Sequence, residues 1–139
     1  VFRYQKKISG PLLDRIDIQI DVPRVKVEDL RKPKEKNSSR AIRGKITKTR
    51  TIQKKRFEKK GLKILLNSEM SSKSVDEIVG LDDQAEIFLK NILEKSFISA
   101  RGYYRVLKTA RTIADLEESE QVNSGHLAEA FQYRVRQEQ

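Results

Sequence analysis

The sequence has no cysteine and no tryptophan, and only one histidine, one methionine and three prolines among its 139 residues. Without cysteine there can be no disulfide framework and no thiolate zinc site, and a single histidine cannot supply a ligand cluster, so no resident metal is expected. No apolar run approaches the roughly 18 residues that a membrane span needs, and no charged stretch leads into a signal-type apolar segment. No membrane partner is expected, and the cytoplasm is the default compartment. Aromatic residues are 6% of the chain and hydrophobic residues 37%, enough for one small core. Charged residues reach 36%, above the roughly 25% of ordinary globular domains, so part of the chain must be all surface. The chain opens on Val1-Phe2 rather than methionine, which leads to the expectation that it is cut from something longer.

What is present is charge, unevenly placed. Lys and Arg exceed Asp and Glu by ten; residues 1–30 are nearly balanced, residues 61–139 are slightly acidic, and residues 31–60 carry fourteen basic groups against two acidic ones. Residues 31–39, Arg-Lys-Pro-Lys-Glu-Lys-Asn-Ser-Ser, read as a solvated basic linker ending where Ser39 can cap a helix. A basic helix is predicted over 40–60, with Ile42, Ile46, Thr49, Gln53 and Phe57 forming a thin, half-polar stripe. Its cations suit contact with nucleic-acid phosphates, or they are simply a solvated face, since no aromatics interleave for base stacking.

Elsewhere the pattern is local. Gly10-Pro11 can start a helical turn through Leu12-Leu13-Asp14-Arg15. Ile16, Ile18, Ile20 and Val22 then alternate with Asp17, Gln19 and Asp21, the pattern of a half-buried strand that Pro23 ends. No other segment alternates in this way, so its partner strands are expected outside the chain, in a second copy, or not at all. After Gly61 come short helices. Ser74-Val-Asp-Glu77 has the form of a capping box; Asp82 or Asp83 can cap the next helix, which ends near Lys95; Ser99 can cap a longer one to about Glu118; Ser124 can cap the last. With the basic helix these make a compact antiparallel bundle of about five helices.

The longest of these helices carries the most informative irregularity. At about 100° per residue, Tyr103, Val106, Leu107, Ala110, Ile113 and Ala114 share one core face, while Arg101, Arg105 and Lys108 share the opposite one. Most such stripes are solvated surface. Yet Arg101 stands near the second helical position, where its charge opposes the helix dipole, and Gly102 beside it is a poor helix former. Breaks in local logic concentrate at functional positions, and a cation at a helix N-terminus can receive an anion such as phosphate.

Three segments extend this reading: Ile8-Ser-Gly-Pro-Leu-Leu-Asp-Arg-Ile-Asp-Ile18 with Val22-Pro-Arg-Val25, then Ser99-Ala-Arg-Gly-Tyr-Tyr-Arg-Val-Leu-Lys-Thr-Ala-Arg-Thr-Ile-Ala-Asp-Leu116, then Gly125-His-Leu-Ala-Glu-Ala-Phe-Gln-Tyr-Arg134. Together they closely resemble the C-terminal part of the magnesium-chelatase-like AAA+ ATPases of the ComM/YifB type. The resemblance implies a mainly α fold: a helical AAA+ lid preceded by a short turn and one β-strand of the ATPase core. It divides the chain into a core remnant at 1–30, the basic linker at 31–39 and the lid at 40–139. It makes Arg15 resemble the arginine finger, reaching the γ-phosphate held by a neighbouring subunit, and Arg101 resemble the sensor-2 arginine; both would be catalytic and nucleotide-binding. It implies ATP and Mg2+ as cofactors of a longer parent, a ring oligomer, expected to be a hexamer, and DNA branch migration during natural transformation. A local salt bridge from Arg15 to Asp14 or Asp17 is the plain alternative.

The chain contains no G-x-x-x-x-G-K-[ST] loop, Gly44-Lys45 being followed by Ile46, and no apolar strand ending in Asp-Glu. The family's Walker motifs, sensor-1 asparagine and N-terminal Lon-protease-like domain would precede Val1, and this chain alone is not expected to hydrolyse ATP or to bind it well. The alternatives from other classes are a free-standing helical nucleic-acid-binding module built on residues 40–60 and an ATP-independent scaffold.

Overall fold

The computed structural model describes residue 12 and residues 15–25, 39–95 and 98–134. Among these described residues five α-helices follow in order: α1 (Ser39–Lys59), α2 (Ser72–Ile78), α3 (Asp83–Lys95), α4 (Ala100–Leu116) and α5 (Ser124–Gln132), with a 3-10 turn at Asn67–Glu69 between the first two. The expected helical bundle is the fold.

Helix α1 forms from a sequence short of apolar anchors. Thr47, Thr49 and Thr51 each turn their hydroxyl back to the carbonyl four residues earlier, at 2.9–3.0 Å, so these β-branched polar residues stay inside the helix. Lys59 and Arg56 sit in the last turn, where the dipole favours cations. The helix ends at Gly61, which takes φ +69°; its amide donates to Glu58 O and that of Leu62 to Phe57 O, the paired bonds of a Schellman cap. Of the predicted stripe, Thr49, Gln53 and Phe57 are buried, whereas Ile42 and Ile46 are exposed. The bundle's apolar surface reaches only the C-terminal half of α1, and residues 39–48 all stand in solvent.

Caps set the other helices. Ser71 caps α2, its hydroxyl accepting from Ser74 N; the predicted start at Ser74 is one turn late, because Ser71 has the extended backbone a cap requires while Ser74 is already helical. Asp82 caps α3 through Ala85 N at 2.7 Å. Ser99 caps α4 through Gly102 N at 3.0 Å. Asn123, rather than the predicted Ser124, caps α5: its amide oxygen accepts from His126 N while His126 Nδ1 accepts from Asn123 N, a reciprocal pair a serine one residue later cannot make. Glu69 braces the 3-10 turn by accepting from the amides of Leu65 and Leu66, which hold its carboxyl below the usual carboxylate range.

Helix α4 is the centre of the bundle. Val106, Leu107, Ala110, Ile113 and Ala114 are buried against Phe57, Val75, Leu89, Val122, Leu127 and their neighbours, in the face predicted, with Tyr103 half-buried at its edge. Leu81 and Val122 form a single parallel bridge, Val122 N donating to Gly80 O at 2.8 Å and Asp82 N to Val122 O at 3.0 Å, which ties the α2–α3 and α4–α5 connections together. Phe88 of α3 meets Phe131 of α5 edge to face at 6.5 Å.

The alternating segment 16–22 is not a strand: no ladder is present among the described residues. Alternation needs a partner to become structure, and here Ile16, Ile18, Ile20 and Val22 are exposed. One backbone bond ties the segment to the bundle, Gln19 N to Tyr133 O at 2.8 Å.

Candidate functional site

The first turn of α4 gathers the chemistry. With Ser99 as cap, Arg101 occupies the second helical position and is exposed; among the described residues nothing pairs with its guanidinium. Gly102 is buried there, and a Cβ on it would lie 2.7 Å from Arg134 Nη1. The poor helix former is thus explained by close approach: the guanidinium at the end of α5 lies against the α4 backbone, where a side chain would displace it.

One turn on, Arg105 reaches the other predicted residue. Its Nη1 donates both to the carbonyl of Arg15 and to Asp17 Oδ1, each at 2.5 Å. Arg15 itself closes a turn through its amide to Leu12 O at 3.0 Å, and its side chain is exposed. Asp17 is therefore taken by Arg105, and among the described residues no carboxylate bridges Arg15; Asp14 lies outside the described residues. Arg105 thus links the two segments: Arg101 lies one turn before it on α4, and the Arg15 carbonyl accepts from its guanidinium. The Arg105–Asp17 pair is open, with the aspartate side chain 53% exposed, so it adds only ~0–1 kcal/mol to stability. Its effect is on position.

The three cations predicted to share a face have different roles. Lys108 Nζ donates to Ser68 O at 3.1 Å, pinning the 3-10 turn, and Arg105 holds the Arg15 turn. Arg101 is exposed and, among the described residues, has no partner for its guanidinium.

Sequence reading missed a second polar cluster, further along α4. Asp115 is buried and receives Arg111 Nε at 3.0 Å, Asn67 Nδ2 at 2.8 Å and both terminal nitrogens of Arg56. Arg111, 1% exposed, also donates to the carbonyls of Ser119 and Glu120. Burial lowers the Arg111 pKa, Asp115 opposes this, and Arg56 adds to the lowering; the group stays charged. Thr112 and Asn67 complete the link at 3.0 Å. This cluster binds α1, the 3-10 turn and the α4–α5 loop to α4. An Arg and an Asp four apart beside the apolar face were the available sign of it.

Among the described residues no group of three or more His, Cys, Asp or Glu is placed to hold a metal ion, and no helix is long and apolar enough to cross a membrane.

A five-helix lid whose central helix opens on an exposed arginine, with an N-terminal turn docked beside it, defines the class. Residues 36–134 match the family described as magnesium chelatase, subunit ChlI C-terminal, and residues 1–30 match magnesium chelatase, subunit ChlI. The chain belongs to the ComM/YifB branch of this magnesium-chelatase-like family. It is 38% identical over 136 residues to competence protein ComM of Haemophilus influenzae, covering 97% of this chain and 26% of that protein. It is 33% identical over 136 residues to the uncharacterized protein YifB of Escherichia coli, covering 96% and 25% respectively. An uncharacterized Mycobacterium tuberculosis protein is 26% identical over 132 residues, covering 95% and 26%. The chain spans about a quarter of the length of these relatives.

Proposed function

We propose that this chain is the C-terminal lid portion of a ring-forming AAA+ ATPase, in which Arg15 acts as the arginine finger and Arg101 as the sensor-2 arginine. The division into a core remnant at 1–30, a linker at 31–39 and a lid at 40–139 belongs to the same reading, supported by the separate family matches over 1–30 and 36–134. The observation that carries it is that two exposed arginines, each without a carboxylate among the described residues, lie on segments that Arg105 joins at the start of α4. A buried or bridged arginine would serve structure; an open one at a helix N-terminus is suited to phosphate oxygens.

The donor set fits a nucleotide's phosphates, and no described cluster fits a magnesium ion, whose ligands would come from the preceding part of the protein. ATP with Mg2+, when bound, supplies the transferable γ-phosphoryl group. Arg101 would neutralise phosphate charge from the lid, and Arg15 would place its guanidinium on the phosphoryl charge held by the adjacent subunit. An arginine in that position contributes ~10³ to 10⁵ in rate. In the full-length protein, Arg15→Ala should therefore nearly abolish ATP turnover while nucleotide binding persists, and Arg101→Ala should lower both turnover and affinity. Unchanged turnover in both variants would overturn the assignment.

The substrate moved by the ring is proposed to be DNA, undergoing branch migration in natural transformation; the competence protein among the relatives supports this. The exposed N-terminal half of α1, with Arg40, Arg43, Lys45 and Lys48 in solvent, offers a second reading of the chain itself, as a nucleic-acid-binding helix. That reading requires weak, sequence-independent duplex binding at ~50 mM salt that falls steeply as salt rises; no binding under those conditions removes it.

A further inference from the structure

We propose that Arg105 is a positioning residue that couples the lid to the Arg15 turn of the same chain, so that what Arg101 senses at one nucleotide is passed to the turn offered to the next. The inference rests on the reading of Arg15 and Arg101 given above. Its ground is geometric. Arg101 and Arg105 lie one turn apart on a single rigid helix, and one nitrogen of Arg105 holds two acceptors of the Arg15 segment, the Arg15 carbonyl and the Asp17 carboxylate. The segment's second tie runs to the same junction: Gln19 N donates to Tyr133 O at the end of α5, next to Arg134, whose guanidinium lies against Gly102. Each of these ties leads to α4 or to the end of α5.

A displacement of α4 as its N-terminus closes on phosphate must therefore carry the Arg15 backbone with it, because a guanidinium bonded to a main-chain carbonyl moves the chain, not merely a side chain. Removing the tie leaves both arginines intact and uncouples them. A misplacement of about 1 Å at a reacting group can cost on the order of 100-fold in rate, so a loosened Arg15 turn is expected to act on turnover rather than on affinity.

The test uses the full-length protein and a non-hydrolysable ATP analogue with Mg2+. Amide exchange of residues 16–19 should respond to the analogue in the wild type; in Arg105→Ala the response should vanish while analogue affinity stays within about twofold and turnover falls on the order of 10- to 100-fold. Asp17→Asn, at a half-exposed site where misfolding is no concern, should reproduce the effect more weakly. An exchange response that survives in Arg105→Ala overturns the coupling. If Arg15→Ala abolishes turnover and Arg105→Ala does not, the coupling fails while the finger stands; if Arg15→Ala leaves turnover unchanged, the finger reading itself has failed.

Discussion

Glu118 takes φ 59° just past the end of α4, a left-handed conformation that costs a residue with a Cβ roughly 1–2 kcal/mol. The position demands it: Ser119 N donates back to Ala114 O and Glu118 N to Asp115 O, the same cap that Gly61 makes without strain after α1. The Lys48–Glu118 ion pair is more than half exposed on both sides and offsets little. Glu118→Gly should therefore raise stability by up to ~1 kcal/mol, read as a higher denaturation midpoint in urea at constant slope; a loss of 1 kcal/mol would show that the pair matters more than the backbone. At this scale the sequence is readable where the chemistry is local. Ser99 and Asp82 are recognisable caps because cap and amide lie three residues apart. Arg134 against Gly102 is not, because the contact joins the ends of two helices and only the fold brings them together.

At the scale of elements, α4 was legible and α1 only in part. The apolar face of α4 follows from its 3.6-residue period, which packing then satisfied. The stripe on α1 has the right period too, but no pattern within a helix says how far its partner extends, and Ile42 and Ile46 run past the end of the bundle. Segment 16–22 makes the same point for a strand, whose alternation names a preference that only a neighbour can fulfil. What holds the C-terminal half of α1 is Phe57 together with Arg56 on Asp115. Asp115→Ala would leave Arg111 buried without its carboxylate and release Arg56 and Asn67 together, so it should cost ~3–5 kcal/mol. Lys48→Ala, at the exposed end of the same helix, should change stability by no more than ~0.5 kcal/mol. Equilibrium unfolding of the two variants checks both, and near-equal effects would contradict a network carried by Asp115.

For the whole molecule, the arrangement of charge follows a division of labour. Arg111, buried, organises the lid; Arg105, half-buried, holds the Arg15 segment to it; and Arg15 and Arg101 are among the arginines left exposed. The motifs around Arg15 and Arg101 could be read from the sequence, but the contact joining them through Arg105 could not, since it links positions 90 residues apart. In the proposed reading, the phosphates that Arg15 and Arg101 meet are held outside this chain, one set elsewhere in the same subunit and one by a neighbour. The most direct measurement is therefore made on mixed rings of the full-length protein. Subunits carrying Arg15→Ala, inactive alone, are combined with subunits whose P-loop lysine has been removed, also inactive alone. The account predicts that ATP turnover reappears in the mixture, as intact fingers serve intact P-loops across the interface. No recovery in rings that demonstrably contain both subunits would contradict it.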